Sequence, residues 1–543
     1  MNTFSQLKHQ FTIYLTKLTS DVPHFDFILN TDEQKQQFGD ISSNCALILA
    51  KKVGKNPREL AQHIVSEFSD TAFSKIEIAG PGFLNFFFTQ ETLQIIAQEL
   101  FVEKDHYFEL EKHAAIYNVE FVSANPTGPL HLGHGRGGII GDVLSNILSF
   151  VGHKTTKEHY INDAGAQIDK LGNSLFIRCR QATGESIELS EDAYHGEYLQ
   201  DLAQQCIQEH GKNVVEKPLE FFKEYGYKHQ LAVLKNTLKN YGIIFDIWFS
   251  ERTLHTKGIE KALNILKQSN KTYDKDGALW FKSTEYGDDK DRVLKKADGS
   301  YTYAAADAAY LMNKADRGFN KLILVLGQDH HSYPQRLDGM RQALGLTDVS
   351  LNCILYQLVS MNKAGQAMRM SKRAGAIVSL QDIIDTVGSD VARFFYLNRK
   401  ADAHLEFDLE LALKEGDENP VYYLQYAYVR TLAILRKSEE FTELTDITKD
   451  DVQGLTDTEA LLIKKMASLY ELLEAITHNY QVHLLTYYLL ELAHLFHAYY
   501  AHNRVIDPQA IKQSRGRLLI VMLVKDTFER CLKLMGISQP QSM

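Results

Sequence analysis

Ile116-Tyr117-Asn118-Val119-Glu120-Phe121-Val122-Ser123-Ala124-Asn125-Pro126-Thr127-Gly128-Pro129-Leu130-His131-Leu132-Gly133-His134-Gly135-Arg136-Gly137-Gly138 is the stretch on which the fold of this chain turns. Ile116 to Val122 reads as a strand, and Asn125, Pro126, Gly128 and Pro129 supply the turn after it. A helix follows, with apolar residues at Ile140, Val143, Leu144, Ile147, Leu148 and Val151 and a stop at Gly152. Lys154 to Ile161 has the look of another strand. Further on, Leu322-Ile323-Leu324-Val325-Leu326 is an all-aliphatic run ending at Gly327, the pattern of a parallel strand buried on both faces. Strand, turn and helix in alternation predict a doubly wound α/β sheet, which binds ligands at the carboxyl ends of its strands.

Working outward, residues 1–110 mix helical periodicity with strand-like runs (Ile76-Glu77-Ile78, Phe83 to Phe88), predicting an α+β domain. The charged stretch Glu103 to Lys112 reads as a linker into the sheet domain, residues 111–375. The polar segment at about 180–270 is predicted to be a helical insertion. Residues 376–420 form a connecting stem, where Ser379 and Asp382 are a capping pair for a helix through Val387. Residues 421–543 are nearly all helical in pattern and hold 10 of the 27 tyrosines, which predicts a terminal bundle.

The chain of 543 residues carries 59 Lys and Arg against 69 Asp and Glu, a net charge of -10. A general basic coat is therefore excluded, although a local basic groove is not. With 44% hydrophobic and 24% charged residues, disordered and collagen-like classes are excluded too. Cys45, Cys179, Cys206, Cys353 and Cys531 include no C-x-x-C pair, so reduced thiols are expected rather than a zinc knuckle or a disulfide framework. Met1-Asn2-Thr3-Phe4-Ser5-Gln6 lacks the layout of a signal peptide. No apolar run approaches the roughly 18 residues that cross a bilayer. The expectation is a soluble cytoplasmic protein with no membrane partner.

Two constellations can carry chemistry. Pro129 to Gly138 places two imidazoles, His131 and His134, in a glycine-rich turn at a helix start, where free N–H groups and ring donors can meet phosphate. The alternative is a glycine-rich turn whose histidines cap the helix. A metal pair has less support, because no further ligands follow at suitable spacing. The second constellation, Arg369-Met370-Ser371-Lys372-Arg373-Ala374-Gly375, offers cations and a hydroxyl suited to a polyphosphate; taken alone, such a stretch is more often a solvated basic loop.

Together these two resemble the HIGH and KMSK motifs of class I aminoacyl-tRNA synthetases. Val119 to Leu130 narrows the resemblance to the arginyl-tRNA synthetase family, as do Tyr160-Ile161-Asn162-Asp163-Ala164-Gly165 and Tyr194-His195-Gly196-Glu197-Tyr198. Asn419-Pro420-Val421-Tyr422-Tyr423-Leu424-Gln425-Tyr426-Ala427 and Gly80-Pro81-Gly82-Phe83-Leu84-Asn85-Phe86 extend it over nearly the whole chain. The resemblance implies a Rossmann-like catalytic domain with a helical insertion, between an α+β N-terminal domain that contacts tRNA and an all-α anticodon-binding bundle. It implies a monomer whose partners are L-arginine, ATP with Mg2+, and the tRNA for arginine. Activation of arginine in this family typically needs the tRNA present.

By the same resemblance, His131, Gly133 and His134 lie on ATP, and Arg369, Met370, Ser371 and Lys372 close over its phosphates. His131, His134 and Lys372 carry the catalysis. Arg369 stands where the motif has lysine, which keeps the charge on a broader head group. Glu120, Asn125 and His131 surround arginine, with Glu120 at its amino end. Tyr303 and Asp307, four apart on a helix and so on one face, match the side-chain pocket, with Asp307 toward the guanidinium. Gln328 follows the aliphatic strand where a sheet ligand is contacted. A carboxylate here argues against a synthetase for glutamate. The other rivals are a non-catalytic paralogue and an adenylate-forming enzyme that does not use tRNA. For tRNA, the resemblance implies Phe83 and Asn85 in the first domain. In the last domain Tyr422, Tyr426, Arg430 and Arg504 are the candidates, with tyrosines, Tyr499 and Tyr500 among them, as stacking platforms. Residues 421–543 hold 13 Lys and Arg against 14 Asp and Glu, so even that domain is not basic overall. tRNA binding then depends on placed cations and shape, with a shallower salt dependence than a basic coat would show.

Overall fold

In the computed structural model, which describes residues 2–110, 115–255, 257–363, 366–367 and 379–543, the two ends of the chain come together. Residues 1–112, 415–480 and 484–543 make one unit, and residues 113–414 with 481–483 make the other. The first begins with α1 (Thr3–Thr16), capped by Asn2, whose side chain accepts from the Ser5 amide. Phe4, Leu7, Phe11 and Leu15 recur along one face of α1 and are buried. The Phe11 ring meets Phe25, Phe68 and Phe86 edge-on at centroid distances of 5.9, 5.0 and 5.3 Å. An antiparallel sheet receives this face: β1 (Phe27–Leu29), β2 (Ile41–Ser43), β3 (Phe73–Ala79) and β4 (Phe83–Phe88), in the order β1-β2-β4-β3. Helices α2 (Cys45–Val53), α3 (Pro57–Glu67) and α4 (Gln90–Glu103) complete the α+β domain.

The second unit starts at β5 (Ile116–Glu120) and passes through α5 (Leu132–Phe150) to β6 (Lys154–Ile161). Helices α6 (Ala166–Ala182), α7 (Tyr198–His210) and α8 (Leu219–Asn240) come next, then β7 (Ile247–Ser250) and α9 (Gly258–Gln268). A small antiparallel sheet of β8 (Thr272–Lys275), β9 (Ala278–Phe281) and β10 (Arg292–Lys295) precedes α10 (Tyr303–Asp316). The walk continues through β11 (Lys321–Gly327), α11 (Tyr333–Ala343) and β12 (Ser350–Tyr356). Among the described residues the main sheet has the order β12-β11-β5-β6-β7, all parallel. The chain enters at the central β5, runs outward to β7, and returns on the other side at β11. The crevice between β5 and β11 is therefore the switch point at which such sheets bind ligands.

An arm of β13 (Val359–Lys363), β14 (Gln366–Ala367), α12 (Leu380–Val387), α13 (Ser389–Leu397), β15 (Leu405–Asp408) and α14 (Leu409–Ala412) follows, with β15 parallel to β13. Ser379 and Asp382 form the expected capping box on α12. Helices α15 (Pro420–Ser438), α16 (Asp457–Ala467), α17 (Leu469–Asn479), α18 (Leu484–His502) and α19 (Ile511–Met535) return to the first unit. There they pack on the N-terminal domain. Lys464 is buried and holds Asp40 at 2.6 Å, Arg530 reaches Asp105 at 2.7 Å, and Glu471 accepts the Leu29 amide at 3.2 Å.

Several expectations change. β5 ends at Glu120 rather than Val122, because Val122 and Ser123 take φ of 64° and 41°, outside the strand region. The insertion expected at about 180–270 is not uniform. Helices α6 to α8 pack around Leu175, Cys179, Leu202, Cys206 and Phe222, but β7 within that range is the edge strand of the main sheet. Ile247-Trp248-Phe249 is too short for periodicity to separate strand from helix. The sheet unit also runs past residue 375, to Lys414, and includes most of the expected stem. No helix among the described residues is long and apolar enough to cross a membrane.

Candidate active site

The turn after β5 is held in a costly conformation. A β-branched residue such as Val122 at positive φ is strained, and such strain persists only where its surroundings over-determine it. The Ser123 hydroxyl donates to Glu120 Oε1 at 3.1 Å and accepts the Tyr160 amide at 3.1 Å, tying β5 to β6 beyond their last paired residues. Asn125 Nδ2 donates to Gln167 Oε1 at 2.6 Å, and Tyr198 holds the Thr127 carbonyl at 2.6 Å.

Both histidines cap α5. His131 Nδ1 accepts from the Gly133 amide at 3.1 Å, and His134 Nδ1 accepts from the His131 amide at 3.2 Å. Their rings stack with centroids 3.7 Å apart. An Nδ1 that accepts carries no proton, so each neutral ring keeps its proton on Nε2. Burial pushes His134 down to about 3, with His131 and His159 adding to the effect, so it is neutral at physiological pH. Capping and phosphate recognition are thus compatible: with Nδ1 accepting in the cap, the proton of a neutral ring sits on Nε2.

Two glycines of α5 serve close packing. A Cβ at Gly141 would lie 2.2 Å from Phe121, and one at Gly137 would lie 2.6 Å from Tyr356. They let α5 lie close on the protein itself.

Carboxylates gather at the strand ends. Glu120 on β5 and Glu158 on β6 are paired in register and both buried, an arrangement that is unfavourable unless each is neutralised. Lys314 holds Glu120 at 2.6 Å, while Arg317 and Tyr310 hold Glu158. Glu120 was expected at the substrate's amino end; its oxygens already serve Lys314 and Ser123, so it reaches the site with its charge matched. Asp307 on α10 accepts from the Tyr333 hydroxyl at 2.6 Å, with the Arg336 guanidinium at 3.9 Å. Burial pushes its carboxyl up to about 6; Tyr333 and Arg336 oppose this, and Glu120 and Glu251 add to it. Glu251, buried directly after β7, also bears on Tyr160, whose hydroxyl burial and these acids hold far above its ordinary value. Glu251, Tyr333 and Arg336 were not foreseen. The available signal was the position of Glu251 at the carboxyl end of a parallel strand, hidden by reading β7 as part of a helical insertion.

Tyr303 begins α10 one turn before Asp307, but it is exposed where Asp307 is enclosed. Gln328 lies at the carboxyl end of β11, on the switch-point crevice. Arg369, Met370, Ser371 and Lys372 lie outside the described residues. A cavity of about 510 Å³ between α9 and the β8–β10 sheet, lined in part by Lys267, Lys295 and Lys296, shares none of these residues.

In the other unit Phe83 is exposed on β4, whereas Asn85 is buried with its oxygen accepting from Ser42 at 3.2 Å. Arg430 on α15 packs on the Tyr426 and Tyr500 rings at 4.5 and 5.1 Å and meets His497 Nδ1 at 2.7 Å, making an exposed aromatic and cationic patch. Tyr422 is half-buried on the same helix and Arg504 is exposed. Tyr499, a candidate platform, is instead core, with its hydroxyl on Glu459 at 3.2 Å.

Three family profiles match the chain in order: the arginyl tRNA synthetase N terminal domain over residues 5–88, the class I (R) tRNA synthetase catalytic domain over 96–402, and the DALR anticodon binding domain over 424–543. An arginine–tRNA ligase from Halalkalibacterium halodurans is 41% identical with complete coverage of both chains. One from Bacillus subtilis is 40% identical over 96% of this chain and 95% of its own. Among solved structures, a Campylobacter jejuni protein classed as an arginyl-tRNA synthetase is 33% identical, with a TM-score of 0.77 over 84% of this chain and 100% of its own. Thermus thermophilus arginyl-tRNA synthetase, at 20% identity, shares the fold over the whole of both chains with a TM-score of 0.77. On identity spread over its full length and on domain order alike, the chain belongs to the arginyl-tRNA synthetase family.

Proposed function

We infer that the chain is an arginine–tRNA ligase. The arginine carboxylate attacks the α-phosphorus of ATP, the bond to pyrophosphate breaks, and the arginyl-adenylate passes its arginyl group to the terminal adenosine of tRNA, releasing AMP. The observation that carries this reading is the pairing of two features on one parallel sheet: a histidine pair whose Nδ1 atoms cap the start of α5, and the Asp307 carboxylate held by Tyr333 with Glu251 near it. A planar guanidinium with five donors needs acceptors fixed around it. Asp307, oriented by Tyr333, and Glu251 supply them, and Tyr303, Gln328 and Asn125 frame the rest of arginine.

ATP enters as its magnesium complex. His131 and His134 donate to phosphate oxygens as charge develops there, so their hydrogen bonds strengthen most in the transition state. Gly133, between them, lets the nucleotide approach the turn. Lys372, with Arg369, Met370 and Ser371, neutralises the departing pyrophosphate. The tRNA meets the exposed Phe83 in the N-terminal domain, whose strand the buried Asn85 supports, and Tyr422, Tyr426, Arg430 and Arg504 in the helical bundle, where the exposed Arg430 patch suits an unstacked base.

Pyrophosphate exchange driven by arginine, with and without tRNA, tests the whole assignment. Exchange with tRNA alone is expected. Exchange without tRNA would favour an adenylate-forming enzyme, and none in either case a non-catalytic paralogue. Lysine should fail as a substrate, since its ammonium leaves acceptors in the buried pocket unpaired.

A further inference from the structure

We propose that Arg136 is a positioning residue for adenylate formation; this rests on the reading of His131 and His134 as the pair facing the nucleotide. Arg136 lies in the first turns of α5, two residues after His134, and is fully buried. Its Nη1 donates to the Gln357 carbonyl at 2.9 Å and its Nη2 to the Lys400 carbonyl at 2.8 Å. Gln357 sits in the connection from β12 to β13, and Lys400 in the connection from α13 to β15. The first is the entry to the arm and the second a loop within it, and the Gln357 amide joins the two through the Ala401 carbonyl at 2.9 Å. One guanidinium therefore pins the arm at two places to the helix that carries the histidines.

The arm is fastened to the same turn at a second place. Leu380 donates its amide to the Leu130 carbonyl at 2.7 Å, and His131 bridges to Ser379. Little slack exists between these ties: a Cβ at Gly135 would lie 2.7 Å from Leu380 Cδ1, as tight as the Gly137 contact with Tyr356. Burial lowers Arg136 to about 10, so it still carries its charge at neutral pH, and both terminal nitrogens are spent on backbone carbonyls. Lysine can reach one carbonyl but lacks the planar fork that takes two. The arginine pocket is built from β5, β7, α10 and α11, none of which Arg136 bonds. Loss of the fork should therefore disturb the alignment of the histidine turn with the arm and leave arginine binding in place. Misplacement of a catalytic group by about 1 Å can cost about a hundredfold in rate.

The test is pyrophosphate exchange with tRNA present, using Arg136→Lys and Arg136→Gln in the full chain, with thermal unfolding measured alongside. The expected result is a kcat lower by about tenfold in the lysine variant and about a hundredfold in the glutamine variant, with the KM for arginine within about twofold of the parent chain. Wild-type kcat in both variants overturns the proposal. So does a parallel change in kcat and arginine KM, or failure of both variants to fold, since each makes Arg136 a packing residue only. His134→Ala separates this from the underlying reading: its inactivation beside fully active Arg136 variants breaks only the Arg136 assignment, whereas a fully active His134→Ala breaks the reading itself.

Discussion

The histidine turn and the arginine pocket lie at the carboxyl edge of one sheet but are built on opposite principles. The turn is local. Residues 131–134 fix one another through backbone amides, and burial, with His131 beside it, keeps His134 neutral. The pocket is assembled from the turn after β5, the residue after β7, and helices α10 and α11, and its acids perturb one another across those elements. The turn's capping bonds lie within four residues, whereas the pocket depends on elements far apart in sequence. The two should therefore fail in different kinetic parameters.

The largest effect is expected from His134→Ala. Removing one preorganised donor to developing charge typically costs about two to three orders of magnitude in kcat. The arginine KM should stay near its parent value, and the lost contact with the His131 amide should cost about 1 kcal/mol of stability. Exchange kinetics and a thermal melt check both. A large rise in arginine KM would mean that the turn and the pocket are not separable.

Asp307→Asn should do the reverse. A hydrogen bond to a charged group is worth about 1.5–3 kcal/mol, so the arginine KM should rise by about ten- to a hundredfold. The ATP KM should be nearly untouched, and steady-state kinetics in both substrates decide the matter. Equal effects on the two would remove Asp307 from the guanidinium.

The same contrast explains what was legible before the structure. The strand, turn and helix around His131 and His134 could be read because periodicity and motif spacing are local properties of a chain. The β11 run could be read because a strand buried on both faces must be aliphatic. Asp307 came only from resemblance, since an acid four residues after a tyrosine on a helix reads equally as surface. Glu251 was missed because its significance depends on Ile247–Ser250 pairing with β6, and nothing within four residues reports its partner. Arg136 was only quoted in passing, because its partners are carbonyls more than 200 residues away in sequence. The union of the N-terminal domain with the helical bundle was likewise invisible: Lys464 and Asp40 lie 424 residues apart.

Dependence on pH sharpens the comparison further. The Asp307 carboxyl is raised to about 6 from its ordinary 3.8, so it is ionised above about pH 6 and neutral below. Arginine must then bind against a proton, and kcat/KM for arginine should fall by about tenfold per unit below that point and be level above it. His134, at about 3, adds no limb in this range. The limb should vanish in Asp307→Asn and survive in the residual activity of His134→Ala. A limb that survives Asp307→Asn would remove Asp307 as the titrating acid.

The smallest effect concerns a buried acid that no substrate answers. In the unit built from the chain ends, Glu471 on α17 accepts the Leu29 amide, with Lys8 and Glu474 nearby. Burial pushes its carboxyl up to about 8; the Leu29 hydrogen bond and Lys8 oppose the shift and Glu474 adds to it. A group whose pKa is raised on folding keeps its proton in the native state. Its contribution to stability is complete below its ordinary value of 4.5 and is lost as pH rises through about 8. The unfolding temperature of the parent chain should therefore decline between pH 5 and pH 8 by about 2 °C or more, a slope that Glu471→Gln should flatten. Glutamine keeps an oxygen for the Leu29 amide and cannot ionise, so it should match the parent below about pH 4.5 and exceed it by a growing margin up to about pH 8. Kinetic constants for arginine should not move, because Glu471 lies in the other unit. An undiminished slope in the variant would show that the raised acid matters only where a cationic substrate draws off its proton, as at Asp307.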